Sequence, residues 1–334
     1  MDKTVKILII RFSSIGDIVL TTPVIRCLKQ QLDGDIEIHY LTKNQYKGIL
    51  TSNPHVAKVF GIDKSTNEII NELVDEHYDY VIDLHKNLRS KRVTKKLKAL
   101  SFTFDKLNYQ KWLITTFKVD KLPRVHIVER YLAATKILGI ENDGLGLEYF
   151  IPEQDVVDLR SLPETHQHGY VSFAIGAQHN TKRLPVEKMI SILKELNLPV
   201  VLLGGKEDIA DAEIIQQSVG EKVYIGCGKY NLNQSASLVK QSKVLLTHDT
   251  GLMHIGAALG VNIVSVWGNT IPEFGMYPYF PAHPEKYVII ENKELKCRPC
   301  SKIGYDKCPK KHFKCMNELS NNAIINVVKT FFLK

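Results

Sequence analysis

The stretch at residues 243–268, KVLLTHDTGLMHIGAALGVNIVSVWG, leaves a chain that carries it few folds to choose from. Residues 244–246 read as a short buried strand, and residues 261–267 as a second one. Between them residues 251–259 read as a helix, with Leu252, Ile255 and Leu259 at three- and four-residue spacing. Strand, helix, strand in so short a span is the signature of a parallel α/β crossover. The turn before the helix offers an N-cap in Asp249 or Thr250, and Gly251 lets backbone amides come close to a ligand. A helix start with free amides binds phosphate; it is equally the well-capped helix of any α/β domain, and the unit alone leaves both readings open.

At 334 residues the chain exceeds one usual hydrophobic core, so two domains are expected. A composition of 44% hydrophobic and 24% charged residues is that of a globular protein and excludes disordered and fibrous classes. There is no run of about 18 apolar residues, and the N-terminus enters a strand pattern at residues 5–10 with no signal-peptide region, so a cytoplasmic protein is expected. The net charge of +8 is concentrated: from Leu84 to Arg130 there are 13 Lys/Arg against 3 Asp/Glu, a local +10 that leaves −2 for the rest. One cationic segment fits an anionic membrane surface or an acidic substrate, or is a solvated helix face, whereas nucleic acid calls for a more uniformly basic surface.

Along the chain, strand-like residues 5–10 run into Arg11-Phe12-Ser13-Ser14-Ile15-Gly16-Asp17, and residues 18–30 read as a helix. A continuously apolar strand is a central parallel one, and the loop after it lies at the carboxyl edge where open α/β sheets bind ligands. Asp17 sits at that edge, either as a functional carboxylate or as a helix cap; the G-x-G-x-x-G of a dinucleotide site is missing here. Strands at 36–41, 56–60 and 80–84 and a basic helix at 86–100 continue a doubly wound half. The pattern breaks at residues 151–168, which places a boundary between domains 1–160 and 165–334.

The second half repeats the alternation, with strands at 170–175, 200–203 and 222–225 and helices from Pro185, at 209–218 and at 233–241, so two similar halves around a cleft are expected. Three of its loops fall on the same edge as Asp249-Thr250-Gly251. The turn from Gly176 to Arg183 brings Lys182 to neutralise phosphate, the Gly204-Gly205 turn brings Glu207 to accept from ribose hydroxyls, and Gly226-Cys227-Gly228 adds a third close approach; any one of these residues is alternatively an ordinary loop residue.

With RFSSIGDIVLTTPVI near the N-terminus, TKRLP, LLGGKEDIADAE and HDTGLMHIGAALGVNIVSVWG in that order, the chain resembles the family 9 glycosyltransferases, the bacterial heptosyltransferases of lipopolysaccharide core assembly. The resemblance implies a GT-B fold, two Rossmann-like domains facing a central cleft, with acceptor mainly on the first and nucleotide-sugar mainly on the second. It implies Asp17 as catalytic base, with Ser14, Gly16, Lys86, Arg89 and Arg92 on the acceptor side. It implies Thr181, Lys182, Glu207, Asp249, Thr250, Gly251 and His254 on the ADP-heptose side. The reaction it implies is inverting, needs no cofactor for its chemistry, and serves an anionic lipopolysaccharide core acceptor at the inner face of the inner membrane, with no nucleic-acid partner. Another nucleotide-sugar donor, or a non-catalytic nucleotide-binding adaptor, are the other functions considered.

Cys297, Cys300, Cys308 and Cys315, with His312 among them, look like a feature of only a subset of that family. Their C-x2-C-x7-C-x6-C spacing suggests a structural zinc site, with free thiols, a disulfide pair or an iron–sulfur cluster as alternatives.

Overall fold

A computed structural model describes residues 4–334. The chain forms two compact units, the first made of residues up to Lys106 with Val125–Phe150, the second of Leu107–Arg124 with Ile151–Lys334. In chain order the first part contains β1 (Val5–Ile10), α1 (Ile15–Val19), α2 (Thr22–Gln31), β2 (Ile36–Lys43), β3 (Lys58–Ile62), α3 (Ile70–Asp75), β4 (Tyr80–Asp83), α4 (Leu88–Leu97) and β5 (Leu100–Thr103). Next come α5 (Asn108–Phe117), which belongs to the second unit, and α6 (Ile127–Leu132), which returns to the first. The first sheet is parallel in the order β3-β2-β1-β4-β5. Register pairs Ile10 with Leu41 and with Asp83, so the loops after β1 and β4 open at one carboxyl edge.

The second unit adds α7 (Glu164–Gln167), β6 (Val171–Ala174), α8 (Val186–Leu196), β7 (Val200–Leu203), α9 (Ile209–Val219), β8 (Val223–Ile225), α10 (Leu232–Gln241) and β9 (Val244–His248). It closes with α11 (Gly251–Ala258), β10 (Ile263–Trp267), β11 (Tyr287–Glu291), α12 (Lys314–Asn317) and α13 (Asn321–Phe332). Its parallel sheet runs β11-β10-β9-β6-β7-β8. The pairs Ala174–Thr247 and Ala174–Leu203 bring the loops after β6, β7 and β9 to one edge. Strands β6, β7, β9 and β10 are buried throughout, which is why each is dominated by apolar residues, with Ser172, Thr247, His248 and Ser265 the polar exceptions.

Four expectations need correction. The helix expected at 18–30 is two: the Thr21 and Thr22 hydroxyls donate to the Ile18 and Val19 carbonyls, closing α1, and Pro23 starts α2 where its missing N–H costs nothing. The basic helix expected at 86–100 spans only Leu88–Leu97, because Asn87 caps it, Lys98 ends it in the left-handed region, and Leu100–Thr103 pairs with β4 as an edge strand. The domain boundary expected near residue 160 falls after Phe150, and Leu107–Arg124 lies in the second unit. There Ile114 and Leu122 are buried with Ile271 and Phe274, a long-range contact with no local signature. Finally, β11 was not foreseen; it pairs with β10 at the sheet's edge.

Candidate functional site

In the first unit the buried strand β1 delivers Arg11 and the α1 turn to the sheet edge. The Arg11 guanidinium donates to the Ser13 carbonyl at 2.7 Å and to the Leu84 carbonyl at 2.6 Å, tying the loop after β1 to the loop after β4. It also forms a 2.6 Å ion pair with Asp17. The other Asp17 oxygen accepts from the Ser14 amide at 3.1 Å and from the Ser14 hydroxyl at 2.9 Å. Burial alone would raise the Asp17 pKa, but the Arg11 charge and the Ser14 bonds outweigh it and hold the carboxyl below its ordinary value. Asp17 is thus an ionised carboxylate, 18% exposed at its side chain. The capping reading holds, since the same side chain closes the capping box of α1.

His85 was not foreseen. It follows β4, its ring meets Phe12 edge-on at 4.9 Å, and burial, then the Arg11 and Lys106 charges, push its pKa down to about 3. The ring is neutral at physiological pH, and its buried Nδ1 has no partner among the described residues. Lys106, also unforeseen, has its pKa lowered first by burial and then by Arg11. Arg11 lay inside the quoted N-terminal motif; His85 and Lys106 carried no motif signal.

The expected acceptor-side residues separate. Ser14 and Gly16 lie in the Asp17 turn, Gly16 buried in α1. Arg89 folds over the Phe12 ring at 5.2 Å, the ring that also meets His85. Lys86 is not on the helix; it occupies a left-handed turn, and its ammonium donates to the Phe104 carbonyl at 2.8 Å. Arg92 is exposed on α4.

In the second unit, Lys182 and Asp249 meet at the edge formed by β6 and β9. Lys182 Nζ lies 2.6 Å from Asp249 Oδ2, which also accepts from the Thr270 hydroxyl at 3.0 Å. The Asp249 carboxylate is therefore a holder of Lys182. Thr250 stands at the N-cap of α11, and its side chain makes no capping bond to the first amides of this helix. His254 is buried one turn into α11.

Two other donor-side expectations change. Glu207 is exposed, and the buried carboxylate of the Gly204-Gly205 turn is Asp208, which accepts from the Gly205 amide at 2.9 Å and pairs with Arg183 at 3.2 Å. A Cβ on Gly176 would stand 2.1 Å from Asp208 and one on Gly204 2.5 Å, so these two glycines make room for that carboxylate. Thr181 is buried at 2% exposure, its hydroxyl donating to the Tyr305 carbonyl at 2.9 Å and accepting from the Tyr305 amide at 2.8 Å. The Thr181 amide donates to the same carbonyl at 3.0 Å. Thr181 thus clasps the donor loop to the cysteine-rich segment, and its hydroxyl faces the protein.

None of the four clustered cysteines is in a disulfide, nor is Cys27 or Cys227. Burial, then the neighbouring thiols, push Cys300 up to about 11; Cys315, pushed up to about 12, also feels the other three. Cys297 Sγ lies 3.9 Å from His312 Nε2. Thiolate donors suit zinc, yet among the described residues the one group of three or more His, Cys, Asp or Glu with ligand atoms within 4.8 Å of one another is Glu37, His39 and Glu76. The thiols are neighbours whose sulfurs would have to draw together around an ion. Glu37, His39 and Glu76 are engaged with Lys6, Lys58 and Tyr78.

Among the described residues no helix is long and apolar enough to cross a membrane. Over 94% of its length the chain is 25% identical to lipooligosaccharide heptosyltransferase 2 of Haemophilus influenzae, covering 99% of that protein. It is 24% identical to lipopolysaccharide heptosyltransferase 1 of Campylobacter coli, covering 98% of this chain and 99% of that one. The solved structure of Escherichia coli ADP-heptose lps heptosyltransferase II superposes with a TM-score of 0.76 at 19% identity, over 98% of each chain, and so shares the GT-B architecture of two parallel-sheet domains. Residues 67–311 match the description of glycosyltransferase family 9 (heptosyltransferase), and the chain belongs to that family.

Proposed function

We propose that the protein transfers a heptosyl group from ADP-heptose to an anionic sugar of a lipopolysaccharide inner core, with inversion at the anomeric carbon. The observation that carries this reading is the donor edge of the second unit, where Lys182 stands beside the uncapped start of α11 in a family 9 chain. As the bond from the anomeric carbon to the diphosphate oxygen breaks, negative charge collects on ADP, and the Lys182 ammonium and the α11 amides stabilise it. Fixed cationic groups supply there what a divalent ion supplies in other transferases, so the chemistry needs no metal.

Asp17 accepts the proton of the acceptor hydroxyl as its oxygen attacks the anomeric carbon. Because Arg11 depresses its basicity, proton transfer runs late, together with departure of ADP. Arg89 and the neutral His85 ring bond acceptor groups beside it. The acceptor is lipid-anchored on this reading, so the enzyme works peripherally at the inner face of the inner membrane. The cysteine segment holds one structural zinc ion, which stiffens it against the donor loop.

The test is Asp17→Asn assayed with ADP-heptose. Donor affinity stays near wild type and turnover falls by about two to four orders of magnitude, the scale of a lost general base. Near wild-type turnover in this variant would leave Asp17 with its capping role alone.

A further inference from the structure

Helix α5 presents an aromatic face to solvent. Tyr109, Trp112 and Phe117 are 66%, 46% and 58% exposed, and Val119 just beyond is 43% exposed. The three rings form one patch, with centroids 6.1 Å apart for Tyr109 and Trp112 and 5.1 Å apart for Trp112 and Phe117. The opposite face of the helix is already used, since Ile114 is buried with Leu122, Ile271 and Phe274. The outward stripe is therefore surplus to folding, and contiguous exposed aromatics mark an interaction surface. Of the chain's two tryptophans, Trp267 is 1% exposed in the core while Trp112 stands in this patch.

The charges beside the patch select its partner. Lys118 and Lys121 are exposed, and no carboxylate pairs with either among the described residues; Arg124 is paired with Asp120 and lies 3.9 Å from Glu273. The Lys118 ammonium donates to the Thr115 carbonyl at 3.0 Å and the Pro299 carbonyl at 2.7 Å, so its charge stays uncompensated beside the patch, while Lys121 meets no carboxylate among the described residues. Tyr and Trp rings beside these two positive charges match the boundary between headgroups and acyl chains of an anionic bilayer, where rings enter the apolar layer and cationic groups meet phosphates. We propose that α5 and residues 118–121 form a membrane-seating element that inserts its aromatic face into an anionic phospholipid surface. This rests on the reading of a lipid-anchored acceptor and adds where, and by which side chains, the second unit is seated.

Insertion by rings differs from attraction by the α4 lysines, because screening over a Debye length of about 8 Å weakens only the latter at physiological salt. The experiment titrates the full chain with vesicles of phosphatidylglycerol and phosphatidylethanolamine, and with neutral phosphatidylcholine vesicles, reading tryptophan emission and cosedimentation across a salt series. The expected result is a blue shift of Trp112 with anionic vesicles that persists in part at high salt. Tyr109→Ser with Phe117→Ser should abolish the shift and reduce binding about tenfold or more, while Lys118→Glu with Lys121→Glu should shift the titration to about tenfold more lipid. Both variants alter exposed side chains and should keep wild-type melting and wild-type transfer to a delipidated, soluble core acceptor. That transfer assay tests the acceptor reading separately. No blue shift in the wild type, or a shift unchanged in the Tyr109/Phe117 variant, would overturn the proposal. So would sedimentation velocity showing that the patch is covered by a second copy of the chain.

Discussion

Arg11 Nη2 lies 2.6 Å from Asp17 Oδ1 while Nη1 of the same side chain donates to the Leu84 carbonyl, so one buried guanidinium fixes both the charge of the carboxylate and the place of the loop after β4. A lowered pKa means that the base-competent form persists as pH falls. The acid limb of kcat/KM should therefore lie below the ordinary carboxylate value of about 3.9, with none between about pH 5 and 8. In Arg11→Gln the raising effect of burial is opposed only by the Ser14 bonds, so the limb should move upward. Matching pH–rate profiles for wild type and Arg11→Gln would contradict the assignment. The same sign governs stability: the pair's contribution is present above the unfolded-state pKa and is lost as pH falls through the folded one.

Lys182→Ala and Gly251→Val should each weaken ADP binding in a calorimetric titration. The first removes charge-assisted bonds and should cost about ten- to a hundredfold; the second places a branched side chain where the diphosphate meets the α11 amides. Unchanged affinity in both variants would move the nucleotide elsewhere.

Thr181→Val keeps the shape of the side chain and deletes both hydroxyl bonds to Tyr305. It should raise the donor KM by about tenfold with kcat little changed, and Thr181→Ser should restore it. If the hydroxyl instead touches donor directly, ADP affinity in Thr181→Val will be insensitive to changes in the cysteine segment. The clasp predicts a shared effect with Gly304→Ala, whose new Cβ would fall 2.5 Å from His179.

Elemental analysis of protein purified without added metal should find about one zinc per chain. Removing it should lower ADP affinity through the Tyr305–Thr181 clasp, and Cys300→Ser should do the same. Metal-free protein with full stability and full affinity would show that the four thiols act without an ion.

The sequence made legible what depends on local pattern. Buried parallel strands show as predominantly apolar runs, and the turns ending in Asp17 and Asp249 show because such strands must deliver their loops to the carboxyl edge. What stayed hidden depends on partners far along the chain. The hold of Tyr305, 124 positions away, on the Thr181 hydroxyl has no local signature. That Asp208 rather than Glu207 is the buried carboxylate of its turn leaves no trace in a Glu-Asp pair. Helix α5 read as part of the first domain because the residues that bury Ile114 lie in the second.

The central claim is tested most directly by incubating the purified chain with a truncated lipopolysaccharide acceptor and, separately, ADP-heptose and UDP- and GDP-linked sugars, then measuring acceptor mass and the configuration of the new linkage. The account predicts a gain of one heptosyl unit with ADP-heptose, inverted at the anomeric carbon and undiminished by chelator while the cysteine segment stays folded. Tight ADP binding with no mass gain from any donor would contradict it and make the chain a nucleotide-binding adaptor.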